Sequence, residues 1–297
     1  VGRALVPYAY LLPTLVLLVV LMVVPIVMVI GYSLMDGVIT ARESHVVGLR
    51  NYAEILTSAK FRTALSNTFW FVSISVVAHM LIGLGFAMLL NSELVSRTTR
   101  AVFRTLFVLP WLLTIAIVAV LWRLLLNPNG IVNAILSGIG LVVSQHEWLS
   151  DPGSALAVVT AINIWSGYPF FMISILAGLQ GIPRDLYEAA EVDGAGFWRK
   201  LWSITLPQLR GTTVLVVTLQ VIASLKIFDQ MFIAFSGGSG PEGSTRPILQ
   251  YIYDTGFTNY RMGYASAMSY IFFAVIILVT VAPRLLARTR KDTSNER

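Results

Sequence analysis

An all-α integral membrane protein with six transmembrane helices is predicted, and three observations predict it. Hydrophobic residues make up 56% of the chain and charged residues only 12%, against about 25% charged in a soluble globular domain. The apolar residues fall in blocks roughly 20 long, the length at which a helix crosses ~30 Å of hydrocarbon while satisfying its own backbone. Lys and Arg gather in alternate connecting segments, as the positive-inside rule requires. The whole of 1–297 reads as one transmembrane domain, without a cysteine for disulfides, thiolate metal sites or nucleophilic chemistry.

The first span, about Tyr10 to Leu34, is longer than the apolar core of a signal peptide and shows no small-residue cleavage site. Pro13 and Pro25 are expected to bend or interrupt it. Thr68 to Leu90 is the second span and contains His79, an isolated ionisable residue expected to be neutral and hydrogen-bonded to a neighbouring helix. Leu106 to Leu126, Ala155 to Leu179, Thr212 to Phe235 and Tyr264 to Leu286 complete the six. His45 and His146 are equally isolated, and none of the three histidines has a second ligand at i+3 or i+4, which favours packing or surface roles over a metal site.

With the N-terminus in the cytoplasm, the inner segments hold Arg3, Arg97, Arg100, Arg104, the basic residues from Arg184 to Arg210, and those from Arg284 to Arg297. Thirteen of the 21 basic residues and seven of the 15 acidic ones lie there. The net charge of +6 is therefore wholly on the inner side, with both termini. A pI near 9.7 reports topology and asks for no nucleic-acid partner.

Three outer stretches remain. Asp36 to Asn67 is polar and contains Gly48-Leu49-Arg50-Asn51-Tyr52; Asn127 to Ser154 opens on the turn Asn127-Pro128-Asn129-Gly130, followed by an apolar piece suited to a re-entrant or interfacial helix. Ser236 to Asn259 carries Gly237-Gly238-Ser239-Gly240-Pro241, which lacks the Lys-Ser/Thr pair of a phosphate-binding loop and reads as a flexible connection. No nucleotide motif, paired carboxylates or Ser/His/Asp set stands out, so the chain reads as a non-enzyme.

The polar island over 183–210 is the most specific feature. It reads Glu188-Ala189-Ala190, three residues, Gly194, nine residues, then Ile204-Thr205-Leu206-Pro207. Pro183 suits a helix start, and Asp185 and Glu188 suit its positive N-terminal end. Gly194 permits a backbone reversal, after which Trp198 to Trp202 is expected as a second short helix ended by Pro207. The product is a helix-turn-helix knob with Glu188 exposed for a basic partner. The plainer reading is an amphipathic loop on the inner leaflet, anchored by Trp198 and Trp202.

This island resembles the EAA loop through which permease subunits of bacterial ABC importers engage a separate ATPase. The chain is similar, over nearly all of its length, to MalF-type or UgpA-type permeases of carbohydrate importers. Leu176-Ala177-Gly178-Leu179-Gln180-Gly181-Ile182-Pro183, Phe228-Asp229 with Gly237-Gly238, and Gly263-Tyr264-Ala265-Ser266-Ala267 extend the likeness. Ser239-Gly240, inserted before Pro241, departs from it.

The resemblance implies a type I importer permease of MetI-like fold in a bacterial inner membrane. It implies a second homologous permease, two cytoplasmic ATPase subunits that bind ATP and Mg, and an extracytoplasmic solute-binding protein. No cofactor is expected in this chain. Glu188, Ala189, Ala190, Asp193, Gly194 and Pro207 would form the coupling segment, and a di- or oligosaccharide would meet Asn163, Gly167, Phe170, Ser224, Ile227 and Asp229. These amide, hydroxyl, carboxylate and aromatic groups suit sugar hydroxyls and ring faces, and Trp165 and Tyr168 offer further rings.

Bland alternatives stand beside these roles. Lys226 and Asp229, three apart, can neutralise each other on one helical face; Gly167 can serve helix packing; Gln220 stays open between structure and substrate. A glycerophosphodiester or glycerol-phosphate importer is the alternative within the family. A secondary carrier is disfavoured because no internal repeat with matched broken helices is visible.

Overall fold

The computed structural model describes residues 2–36, 44–92, 95–141 and 146–295. Val1, Glu93 and Arg297, and the side chains of Arg3, Arg284, Arg288, Arg290 and Lys291, which carry part of the charge expected on the inner side, lie outside the described residues. The chain divides into two compact units, 1–63 with 248–297, and 64–247.

In the first unit, α1 (Gly2–Leu18) runs through a π turn, Val19–Val23, into α2 (Val24–Ser33). Pro13 is accommodated within α1, and Pro25 follows the π turn at the opening of α2. The wider turn absorbs Pro25, which cannot donate to its i−4 carbonyl, and α1 continues through Pro13, so neither proline breaks the span. The short strands β1 (Met35–Asp36) and β2 (His45–Val46) pair antiparallel. They lead to α3 (Arg50–Thr57), where Asn51 donates to the carbonyls of Ser33 and Met35 at 3.0 Å each, and Tyr52 donates to Ser33 Oγ at 2.8 Å. Those carbonyls lie where α2 ends and its helical partners run out, so the polar run seen in the sequence caps the span.

The long helix α4 (Ala59–Asn91) begins in this unit and continues into the second. The second unit then holds α5 (Arg97–Leu112), α6 (Ile115–Leu125), α7 (Ile131–Gly138), α8 (Ala155–Gln180), α9 (Arg184–Val192), α10 (Phe197–Lys200), α11 (Leu206–Leu225) and α12 (Asp229–Ala234). The first unit closes with α13 (Ile248–Tyr253) and α14 (Met262–Asn295), which packs along α2 with Gly263 against the Met35 backbone.

Among the described residues five helices are long and apolar enough to span a membrane, and α5 with α6 make a sixth if the bent pair is one span. Three predicted boundaries change. The third span, expected over Leu106 to Leu126, turns by 97° between α5 and α6. Pro110 weakens the last turn of α5, Leu113 and Thr114 are extended, and Thr114 Oγ1 caps α6 by accepting the Ile117 N–H at 3.4 Å. The fifth span, expected over Thr212 to Phe235, stops at Leu225 and resumes as α12. At its N-terminal end it is longer than expected: Pro207 does not terminate a helix, because a π turn over Leu201–Thr205 carries α10 into α11 past the proline.

The core of the second unit forms where α8 meets α4, α5 and α11. Phe171, Met172, Ile175, Leu176 and Leu209 are buried together. A β-carbon on Gly83 would fall 2.5 Å from Phe171 Cβ, and one on Gly178 would fall 2.8 Å from Leu209 Cδ2. Small residues at these crossings let helices pack closely where lipid offers no hydrophobic contrast. Thr160 and Thr218 satisfy their hydroxyls on the i−4 carbonyls. The opposite face of α4, Phe69, Trp70, Ile74, Val77 and Leu81, is exposed and apolar, as a lipid-facing surface must be.

The connection after α6 does form a helix, α7, with Ile131, Ile135 and Ile139 exposed on one side. Asn133 donates to the Asn127 and His146 carbonyls and accepts from Trp148 Nε1, tying the turn to the approach of α8. Beside it, the Gly153 N–H and the Ser154 hydroxyl hold the Asp151 carboxyl below its ordinary pKa.

Candidate functional site

All six residues predicted to face cargo lie on the wall of one cavity of about 540 Å³ in the second unit, within the roughly 300–1,000 Å³ common for ligand sites. Asn163, Gly167 and Phe170 reach it from α8 because spacings of four and three keep them on one helical face. Ser224 and Ile227 come from the end of α11 and the break after it, and Asp229 from the first residue of α12.

The break alters the predicted relation of Lys226 and Asp229. Lys226 caps α11 and Asp229 begins α12, so they do not share a helical face, and no ion pair joins them among the described residues. Both line the cavity. Gln220 also lines it and donates to Ser224 Oγ at 3.2 Å. Trp165 and Tyr168 take other directions: Trp165 meets Trp122 edge-on at 5.5 Å, and buried Tyr168 lies 5.4 Å from Phe86. Their rings belong to packing, since residues 165 and 168 leave the face shared by 163, 167 and 170.

Two important wall residues were missed. Trp111, half exposed, is brought opposite Phe170 at 6.1 Å between ring centroids because α5 ends there after Pro110. Pro110 inside an apolar run was the available signal. Gln230, 3% exposed, accepts from Asn163 Nδ2 at 3.1 Å across α8 and α12. No sequence pattern relates residues 163 and 230.

Gly167 also has the packing role. A β-carbon there would fall 2.6 Å from His79 Nε2, and that nitrogen bonds the Asn163 carbonyl at 3.1 Å. His79 is fully buried and lies 5.5 Å from Phe171. It therefore acts as the interhelical packing residue expected of it. Among the described residues no group of three or more His, Cys, Asp or Glu could hold a metal ion.

In the knob, Pro183 takes the N-cap position of α9, just before the first turn. Gly194 adopts φ +70°, and the Gly194 and Ala195 amides return to the Glu191 and Ala190 carbonyls at 2.9 and 2.8 Å. This is a glycine-ended helix closure. Nothing lies within 4 Å of a β-carbon built on Gly194, so backbone conformation alone selects glycine. Glu188, Ala189, Asp193 and Pro207 are exposed and Ala190 half-buried. Glu188 has no hydrogen bond or ion pair among the described residues, whereas Glu191 pairs with Lys200 at 2.6 Å. An exposed, unpaired carboxylate on a rigidly capped helix can meet a basic group of another protein.

Residues 79–292 match the family of binding-protein-dependent transport system inner membrane components. The chain is 34% identical to the trehalose/maltose transport system permease protein MalF of Thermococcus litoralis, covering 96% of this chain and 94% of that protein. It is 32% identical to the arabinooligosaccharides transport system permease protein AraP of Halalkalibacterium halodurans, over 94% and 87% of the two. The fold is similar to a chain of the bacterial alginate ABC transporter crystallised with its alginate pentasaccharide-bound periplasmic protein. That match has a TM-score of 0.80 and 25% identity, over 97% of this chain and 96% of that one.

Proposed function

The chain belongs to the family of binding-protein-dependent transport system inner membrane components, and we propose that it forms half of the pathway of an ATP-driven importer of di- or oligosaccharides. Its termini and knob lie in the cytoplasm. Glu188 and the exposed face of α9 dock on one of two ATPase subunits, a second permease completes the pathway, and an extracytoplasmic binding protein delivers the sugar. The chain itself performs no chemistry on the cargo. ATP binding biases a two-state element whose cavity opens to alternate sides.

The observation that carries this reading is the convergence of Asn163, Phe170, Ser224 and Asp229 on one cavity between the spans before and after the knob. Trp111 and Phe170 supply ring faces, and the amides, hydroxyl and carboxylate supply the mixed donors and acceptors that sugar hydroxyls need. Relatives named for maltose, arabinooligosaccharide and alginate transport support a saccharide. Lys226 on the cavity wall, without an ion pair to Asp229, favours a phosphate-bearing polyol as the second reading.

The test is uptake into proteoliposomes holding the chain, its permease and ATPase partners and the cognate binding protein. Uptake of an oligosaccharide that requires ATP and binding protein together is expected. Uptake that persists without the ATPase would favour a carrier, and uptake of glycerophosphodiesters alone would favour the second reading.

Gly194→Val is expected to loosen the ATPase, because a β-branched residue in the left-handed region costs at least about 1–2 kcal/mol. Gly194→Asn, which tolerates that region, is expected to keep more of the attachment. Co-purification of the ATPase with each variant measures this; equal retention by valine and wild type would contradict the role of the turn.

A further inference from the structure

We propose that the hydrogen bond between the Tyr187 and Thr205 hydroxyls is the strut through which the knob moves the fifth span. The inference rests on the coupling role given above to α9. The two oxygens lie 2.9 Å apart and join α9 to the root of α11 across 18 residues of chain. Thr205 is buried, with 4% exposure, and Tyr187 is half-buried against the apolar core of the unit.

α9 is a short helix at the surface. It has no fully buried residue of its own, and a nine-residue helix is marginal without tertiary support. The chain leaves it through Gly194-Ala195-Gly196, two glycines in three residues, which transmits bending poorly. The Lys200–Glu191 pair has its carboxylate 65% exposed, and exposed pairs contribute little. The Tyr187–Thr205 bond, by contrast, is anchored on a buried hydroxyl, that of Thr205.

Its landing point matters as much. Thr205 closes the π turn Leu201–Thr205, whose Leu206 amide returns to the Leu201 carbonyl, and Pro207 follows. A π turn beside a proline is the yielding place in a helix. A strut fixed there converts displacement of α9 into rotation of α11, which carries Ser224 and Gln220 at the cavity. Tyr187 is thus a positioning residue, acting through Thr205 on a wall it does not touch.

The readout is ATP hydrolysed per sugar imported in the reconstituted complex, together with ATPase co-purification. Tyr187→Phe keeps the ring and removes only the bond; it is expected to keep the ATPase attached while raising that ratio about fivefold to tenfold, the scale of losing one buried hydrogen bond. Thr205→Val should match it, Thr205→Ser should restore the wild-type ratio, and Tyr187→Phe with Thr205→Val should be no worse than either alone. An unchanged ratio in Tyr187→Phe, or additive losses in the double variant, overturns the strut. Loss of attachment in Tyr187→Phe also overturns it, by showing a role in docking instead. A wild-type complex whose uptake ignores ATP overturns both this inference and the function on which it rests.

Discussion

Glu188→Lys is expected to abolish ATP-driven uptake and to release the ATPase, while the chain still inserts and folds. Glu188 is exposed near the middle of α9 and makes no hydrogen bond or ion pair among the described residues. Lysine is nearly as good a helix former, so the knob itself should lose only a few tenths of a kcal/mol. A basic site on the partner would instead meet a like charge. Breaking one side of an interfacial charge pair costs about 2–5 kcal/mol, on the order of 100-fold in affinity. Glu188→Gln should fall between the two. ATPase retention on the purified membrane complex, read beside thermal unfolding of the chain, separates docking from folding; full retention by Glu188→Lys would remove the coupling role.

Asn163→Ala combined with Asp229→Ala is expected to cut uptake by at least about 30-fold while leaving basal ATP hydrolysis. Hydrogen bonds to a neutral amide and to a carboxylate contribute about 0.5–1.5 and 1.5–3 kcal/mol respectively. The Asn163 change has a structural side as well, because it strips buried Gln230 of its partner. An unsatisfied buried amide costs about 1–3 kcal/mol. The Asp229→Ala single variant, whose side chain is exposed at the start of α12, carries the cargo effect with little of that penalty. Full uptake by the double variant would show that cargo passes these positions without touching them.

Both experiments use residues legible in one dimension. The knob was visible because its requirements are local: a carboxylate on a short helix, then a glycine where φ must be positive. Asn163, Gly167 and Phe170, singled out by the family resemblance, share one wall of the cavity because spacings of four and three keep them on one helical face. Prolines in this chain meet two outcomes that the sequence does not distinguish. Pro207 was expected to end a helix and instead follows a π turn within one, whereas Pro110 precedes a 97° break. The difference lies in neighbours: Thr114 caps a new helix after Pro110, while Leu201, Thr205 and Leu209 are buried and hold the chain helical past Pro207.

Hydropathy and charge placement by themselves determined the approximate spans, the polar connections and the knob, because each depends on a continuous stretch of chain meeting lipid or water. The tertiary structure alone decided that Trp111 faces Phe170, that Gln230 holds Asn163, that the Gly167 face receives His79, and that Tyr187 reaches Thr205. Those contacts join residues far apart along the chain. They are set by how closely helices cross and where they bend, quantities that depend on several segments packing at once and that no single stretch encodes.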